Sequence, residues 1–138
     1  VEDIVKELVD IFPSEYIHIG GDEVNFKWWK DCPDCQQLKT EKGLKNEAQL
    51  EQYFVNRVSD ILTKYHKKAM VWDEAVDGGL LPTTTMVTGW RGVKQCLQAT
   101  EQGYPTIIMP SSVFYLDKRQ YPHDKGHNSR NGLSLQTI

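Results

Sequence analysis

Two spacings of hydrophobic residues alternate along this chain. In two long segments, one ending at Phe12 and one covering 47–67, apolar residues recur every three or four positions, which predicts helices that each bury one face. Pro13 ends the first of these helices, and Asn46 is a suitable N-cap for the second. The same signals, each closed by a following glycine, predict two shorter helices over 36–42 and 93–102.

Four short runs of β-prone residues lie between these helices and predict strands. They are Tyr16 to Ile19, AMVWDE at 69–74, TMVTGW at 85–90 and PTIIMP at 105–110. Strands joined by helical crossovers form parallel sheets, so the predicted fold class is α/β with parallel strands. NFKWWKDCPDC at 25–35 is typical of a loop, and the polar segment from Ser111 to the end has no clear periodicity.

Acidic and aromatic residues cluster where the predicted strands end. Asp22 and Glu23 follow the first strand behind two glycines, and each later strand also ends in such residues: Trp72-Asp73-Glu74, Trp90-Arg91 and Tyr115 with Asp117. The carboxyl ends of parallel strands share one side of a sheet, where α/β proteins keep their active sites. Aromatic rings cover the apolar faces of sugars, and carboxylates bind hydroxyls or act as acids. The pattern therefore indicates a carbohydrate site.

Composition and charge exclude other classes. The chain has 138 residues, the length of one domain or a part of one, with 39% hydrophobic residues. A net charge of -3 without a long basic run argues against binding of nucleic acid. No apolar stretch approaches the roughly 20 residues that a membrane span needs. We therefore expect neither a nucleic-acid partner nor a membrane span.

The CPDC sequence at 32–35 raises the question of a redox or zinc site. Zinc would need two more ligands at close spacing, and neither a second CxxC nor an HxxxH motif follows. A thioredoxin-like site would place the motif directly after a strand, whereas about a dozen residues intervene here. A metal cluster of His18, Asp22 and Glu23 is disfavoured because successive residues of a strand point to opposite faces. We expect a loop cysteine pair, bridged or not, and no metal or cofactor.

Four motifs together resemble a known family. HIGGDE at 18–23 is similar to the His-x-Gly-Gly-Asp-Glu signature of the β-N-acetylhexosaminidases of glycoside hydrolase family 20. VWDE, GWRG and FYLD follow in the family's order and resemble its fifth strand, its sixth strand and the segment after its seventh. The resemblance covers essentially the whole chain. It implies part of a (β/α)8 barrel, with residues 1–138 supplying about strands 4 to 7 and their helices.

The same resemblance implies an activity and a set of site residues. The family removes terminal N-acetylglucosamine or N-acetylgalactosamine from β-linked glycans with retention of configuration, and the substrate's own 2-acetamido group is the nucleophile. By analogy, Glu23 is the general acid and then the base, and Asp22 orients the acetamide and stabilises the oxazolinium-like intermediate. The implied substrate-binding residues are Trp72 and Trp90 around the acetamide, Tyr115 at its carbonyl and Asp117 at sugar hydroxyls. The resemblance also implies a secreted, periplasmic or lysosomal parent protein.

Other interpretations of these residues stay open at this point. A non-catalytic sugar-binding module would use the same aromatics without turnover. A glycosidase with a protein nucleophile would need a second carboxylate about 5 Å from Glu23, for which Asp73 and Glu74 are the candidates. Tryptophans in strands are often core residues, and His18 has a place in the barrel interior. Trp28 and Trp29 either pack their loop or form a subsite for the leaving group.

The number of strands sets the last expectation. A (β/α)8 barrel needs about 250 residues and eight strands, and this chain has room for four. We therefore expect residues 1–138 to be the middle part of a larger catalytic domain, with little or no turnover alone. Four parallel strands leave two sheet edges open, so self-association through those edges is also expected.

Overall fold

The computed structural model describes residues 1–119, 123 and 125, and in that part of the chain helices and strands alternate. The elements, with a 3-10 helix at Asp73–Val76 directly after β2, are α1 (Glu2–Ile11), β1 (Tyr16–His18), α2 (Lys27–Lys30), α3 (Pro33–Glu41), α4 (Glu47–Lys64), β2 (Lys68–Trp72), β3 (Met86–Gly89), α5 (Val93–Glu101), β4 (Thr106–Ile108) and α6 (Ser111–Phe114). Among these, no helix is long and apolar enough to cross a membrane.

The four strands form one parallel sheet in the order β1-β2-β3-β4. The register pairs Ile17 with Ala69 and Val71 with Val87, and strands that follow one another along the chain are neighbours in the sheet. All carboxyl ends consequently lie on one side of the sheet. The predicted parallel α/β arrangement is confirmed, and β1 and β4 are its open edges.

The core lies between the sheet and the helices on one of its faces. Val71 and Val87 of the central strands are fully buried in a cluster with Val55 of α4 and Ala99 of α5. A second cluster joins α1 to α4 and β2 through Val5, Leu62 and Ala69. Because side chains alternate along a strand, the residues between these valines and alanines point to the opposite face.

Helix α4 begins where the sequence predicts. The side chain of Asn46 accepts a hydrogen bond from the Gln49 N–H at 3.0 Å, which satisfies one of the free donors of the first turn. This cap confirms the predicted start of the longest helix, which anchors the core beneath β2.

Three local predictions were wrong. Part of the segment predicted as a loop at 25–35 forms α2 and the start of α3, because Pro33 occupies the first position of α3 and the thiol of Cys32 caps it. Asp73 and Glu74 belong to the 3-10 helix rather than to the strand. A short helix, α6, follows Pro110 in the segment predicted without periodicity. Residues 120–122, 124 and 126–138 of that segment lie outside the described residues.

Candidate active site

The acidic pair follows β1 through a glycine turn. Gly20 and Gly21 have φ of 80° and 92°, a conformation that residues with a Cβ rarely adopt. A Cβ on Gly21 would lie 2.6 Å from the Cβ of Ala75, so this glycine also allows the turn to pack against the 3-10 helix. The turn brings Asp22 and Glu23, both exposed, to the carboxyl edge of the sheet.

Glu23 is itself in a strained conformation that a neighbour holds. Its φ is 50°, which is uncommon for a residue other than glycine. Its backbone N–H donates to Oε2 of Glu74 at 3.0 Å. A carboxylate acceptor makes this hydrogen bond charge-assisted, so Glu74 stabilises the turn on which the Glu23 side chain depends.

His18 connects the turn to the neighbouring strands. Its Nδ1 accepts the Gly20 N–H at 3.1 Å, and its Nε2 lies 2.9 Å from Oγ1 of Thr88, whose hydroxyl donates to the Val71 carbonyl. These partners assign the ring proton to Nε2. Burial lowers the pKa of His18, and the charge of Asp22 raises it in part, so the ring is neutral near neutral pH.

The same histidine contacts one of the predicted sugar-binding aromatics. The ring centroids of His18 and Trp72 lie 4.6 Å apart at an angle of 56°. This contact places Trp72 beside the β1 turn at the end of β2. His18 thus contacts both the turn and the tryptophan. Its place in the interior of a complete barrel stays a prediction.

Trp90 and Tyr115 form the second aromatic part of the site. Their rings are nearly parallel, at 17°, with centroids 6.3 Å apart. Burial raises the pKa of the Tyr115 hydroxyl, and Asp117, Glu23, Asp22 and Asp73 add to that rise in decreasing order. The acids that follow β1, β2 and β4 therefore all lie close enough to Tyr115 to raise the pKa of its hydroxyl. The indole N–H of Trp90 is buried without an acceptor among the described residues.

A buried ion pair fixes the backbone of Trp90. Asp73 is only 1% exposed, and its two carboxylate oxygens accept the Trp90 N–H at 3.1 Å and the Nε of Arg91 at 2.8 Å. Arg91 also donates two hydrogen bonds of 2.8 Å to Asp77, and these partners raise its pKa. Asp73 has no free oxygen for a substrate, which argues against a role as nucleophile.

The structure separates the remaining candidates. Asp117 is exposed and acts on Tyr115 electrostatically. Trp29 packs on Phe26 with centroids 5.7 Å apart, whereas Trp28 is 75% exposed on the surface of α2. Sequence reasoning missed Glu51 and Gln52 of α4, which are both buried. Glu51 lies below the β1 turn and Gln52 below the segment after β2. Their signal in the sequence was two polar residues beside the apolar stripe of a helix.

The cysteines do not form a metal centre in the described part of the chain. Cys32 and Cys35 are free thiols, and the Cys32 sulfur accepts the Cys35 N–H at 3.3 Å as the cap of α3. Among residues 1–119, 123 and 125, no group of three or more His, Cys, Asp or Glu side chains is arranged to hold a metal ion.

A parallel α/β sheet with an acidic turn and aromatic rings at its carboxyl edge is typical of barrel proteins that act on sugars. Comparison with known sequences specifies the family. The profile described as glycosyl hydrolase family 20, catalytic domain, matches residues 1–137, and the chain belongs to that family.

Individual relatives agree with the family. The chain is 37% identical over 121 residues to a β-hexosaminidase of Porphyromonas gingivalis, covering 87% of this chain and 15% of that protein. It is 34% identical over 124 residues to the human β-hexosaminidase subunit beta, covering 86% of this chain and 22% of that protein. The chain thus spans less than a quarter of the length of either relative.

Solved structures agree with the fold. An exo-β-N-acetylglucosaminidase of family 20 from Vibrio harveyi, in complex with N-acetylglucosamine, matches with a TM-score of 0.89 and 30% identity, over 99% of this chain and 22% of that one. A β-N-acetylhexosaminidase from Bacteroides fragilis matches with a TM-score of 0.81 and 29% identity, over 94% and 27%. The prediction of an incomplete part of the family's barrel is confirmed.

Proposed function

We propose that residues 1–138 are the central part of the catalytic barrel of a β-N-acetylhexosaminidase. The parent enzyme removes terminal non-reducing N-acetylglucosamine or N-acetylgalactosamine from β-linked glycans and retains the configuration. The observation that carries the proposal is the convergence on Tyr115: the acids after β1 lie close enough to raise the pKa of its hydroxyl, and its ring stacks on Trp90. Family membership and the β-hexosaminidase relatives support it.

In this proposal the two acids of the turn have separate tasks. Glu23 protonates the oxygen of the leaving group and, once the aglycone has left, takes a proton from the attacking water. Asp22 accepts the acetamide N–H and stabilises the positive charge of the ring that forms when the acetamide oxygen attacks the anomeric carbon. Family 20 is a recognised exception to the two-carboxylate scheme, so no protein nucleophile is needed.

The aromatic residues hold the acetamide in position for that attack. Trp72 and Trp90 enclose the methyl group, and the hydroxyl of Tyr115 donates to the acetamide carbonyl. Asp117, exposed at the rim, accepts hydrogen bonds from sugar hydroxyls. Correct placement of an intramolecular nucleophile removes much of the entropic barrier to its reaction.

The isolated chain presents only part of such a site. Four strands supply one side of a barrel that has eight, so the opposite wall of the sugar pocket is absent from this sheet. We therefore expect little or no hydrolysis by residues 1–138 alone and full activity only in a complete barrel that contains them.

The test is hydrolysis of a chromogenic N-acetyl-β-glucosaminide by the chain and by a complete enzyme that contains it. Each protein is compared with its Glu23→Gln and Asp22→Asn variants. Loss of a general acid/base typically costs about 10²–10⁴-fold in rate, and we expect a loss of this size for Glu23→Gln in the complete enzyme. Activity that survives Glu23→Gln would show that another residue is the acid. Sugar binding without turnover in the complete protein would instead identify a non-catalytic module.

A further inference from the structure

A second pair of acids lies beneath the catalytic turn. Glu51 of α4 and Glu74 of the 3-10 helix line a small cavity of about 80 Å³ together with Asp77. Gly21, Val24 and Phe26 of the segment that carries Asp22 and Glu23 form another part of the cavity wall. The cavity therefore connects α4 and the end of β2 with the catalytic turn.

Both glutamates present an unpaired buried oxygen. Glu51 is 6% exposed, and its Oε1 has no hydrogen-bond partner among the described residues. Oε1 of Glu74 is likewise buried and unpaired, whereas its Oε2 accepts the Glu23 N–H at 3.0 Å. Two ionised carboxylates in one buried cavity repel each other and lose hydration, so full ionisation of the pair is unfavourable.

The charged groups around Glu51 all favour retention of a proton. Burial is the largest cause that raises its pKa, followed by the negative charges of Glu74, Asp77 and Asp22, and together they raise it to about 7. Arg91, which reaches Asp77 of the cavity wall, donates to Asp73 and Asp77. Glu51 therefore carries its proton in weakly acidic solution and loses it as the pH passes neutrality.

We propose that Glu74 is a positioning residue for Glu23 and that Glu51 and Glu74 share one proton across the cavity. Glu51 supplies the proton and Glu74 keeps the negative charge that the Glu23 N–H requires. The cavity has room for a water molecule to relay the hydrogen bond between the two side chains. Loss of the shared proton places two like charges below the turn and loosens the backbone at Glu23.

The catalytic meaning of this pair depends on the proposed function, but its structural part can be tested in the chain itself. The reporter is the backbone amide of Glu23 in a nuclear magnetic resonance titration from pH 5.5 to 9. A Glu23→Gln background removes the residue's own carboxyl group. We expect the residue-23 amide and the side-chain carboxyl carbon of Glu51 to titrate together near neutral pH.

Two variants separate the partners in this titration. Glu51→Gln imitates the protonated glutamate, so the residue-23 amide should keep its hydrogen-bonded position and lose its pH dependence. Glu74→Gln replaces a charged acceptor by a neutral one and should move the amide signal toward that of a free amide. Glu101→Gln, on the exposed face of α5, is the matched control and should change neither. A residue-23 amide that is independent of pH, or that still titrates in Glu51→Gln, would overturn the proposal.

The catalytic part is tested by the pH profile of kcat/KM in a complete enzyme that contains the segment. Glu51→Gln should extend the alkaline limb, and Glu74→Gln should lower kcat about tenfold with little change in KM. An alkaline limb that is identical in the wild type and Glu51→Gln would refute the catalytic role of the pair. If the complete enzyme hydrolyses no hexosaminide, the proposed function fails, while the amide titration still decides whether the proton is shared.

Discussion

At the scale of single residues, the proposed catalytic pair, Asp22 and Glu23, depends on neighbouring residues that position the turn. Gly21 lets the turn approach Ala75, and Glu74 holds the backbone of Glu23 by its N–H. Glu23 has a positive φ, which is uncommon for a residue other than glycine. Backbone strain of this kind persists when the surroundings over-determine it, and it is common at functional sites.

The substitution Gly21→Ala tests how closely the turn is packed. Its φ of 92° is unfavourable for alanine, and the new Cβ would meet Ala75 at 2.6 Å. Gly43→Ala is the matched control, because Gly43 also has a positive φ, 64°, but no atom lies within 4 Å of its added Cβ. Both variants should lose about 1–2 kcal/mol from conformation, and Gly21→Ala about 1–3 kcal/mol more from overpacking. Urea denaturation measures both; equal losses would mean that the contact with Ala75 relaxes freely.

The buried Glu51 makes stability depend on pH. Its pKa is raised from 4.5 to about 7 in the folded chain, so the folded state binds the proton more tightly than the unfolded state. The free energy of unfolding should therefore fall as the pH rises through this window and level off above it, by up to roughly 3 kcal/mol. Glu51→Gln removes this loss, so the variant should gain stability over the wild type at pH 8 but not at pH 5. A difference between the two proteins that is the same at both pH values, measured by urea denaturation, would contradict the assignment.

At the scale of elements, α4 does more than cover the sheet. Gln52 of this helix is fully buried and holds the segment after β2 at two points. Its Nε2 donates to the Ala75 carbonyl at 2.6 Å, and its Oε1 accepts the Leu80 N–H at 2.7 Å. The helix thereby holds the segment that contains both Asp73 and Glu74, on which Trp90 and Glu23 depend.

Replacement of Gln52 by leucine keeps the volume of the side chain but removes both hydrogen bonds. The buried Ala75 carbonyl would lose its partner at about 1–3 kcal/mol and the partly buried Leu80 N–H at about 1–2 kcal/mol, so we expect a loss of about 2–5 kcal/mol in the free energy of unfolding. Gln98→Leu on the exposed side of α5 should change stability by less than about 0.5 kcal/mol. Thermal or urea unfolding of the two variants provides the comparison, and similar losses in both would show that the segment after β2 does not need Gln52.

At the scale of the whole molecule, the sheet is open at both edges. β1 and β4 each have a strand on one side only among the described elements. Apolar residues near the β4 edge are strongly exposed: Ile107, Ile108, Phe114 and Leu116. Unpaired edges with exposed apolar side chains favour pairing with another chain.

We expect residues 1–138 to self-associate in a concentration-dependent way, as sedimentation velocity would measure. Ile108→Lys places a charge near the β4 edge and should shift the equilibrium toward monomer. Ile11→Lys changes a more exposed isoleucine, at the end of α1 rather than near β4, and should leave association through the β4 edge unchanged. A single monomeric species of the wild type at every concentration would refute the role of the open edges.

Much of this arrangement could be predicted from the sequence because its signals are local. The spacing of apolar residues located α1, α4 and α5, and Asn46 marked the start of α4. The runs of β-prone residues between the helices were sufficient to predict a parallel sheet. The short helices α2 and α6 were missed, since four residues are too few to show a helical period. Asp73 and Glu74 were assigned to a strand because two adjacent acidic residues show no periodicity that distinguishes the end of a strand from the start of a 3-10 helix.

The sequence by itself determined the order of the four strands and the longer helices, the parallel sheet and the positions of six candidate site residues after its strands: Asp22, Glu23, Trp72, Trp90, Tyr115 and Asp117. Each of these follows from local spacing and from motifs. Only the tertiary structure decided which acids are occupied by protein partners. Asp73 accepts a hydrogen bond from Arg91, and Glu74 accepts one from the Glu23 N–H. Glu51 of α4 lies near the turn although it is 28 positions after Glu23 in the chain. The physical reason is that burial, hydrogen bonding and charge act between residues that are close in space, whatever their separation along the chain.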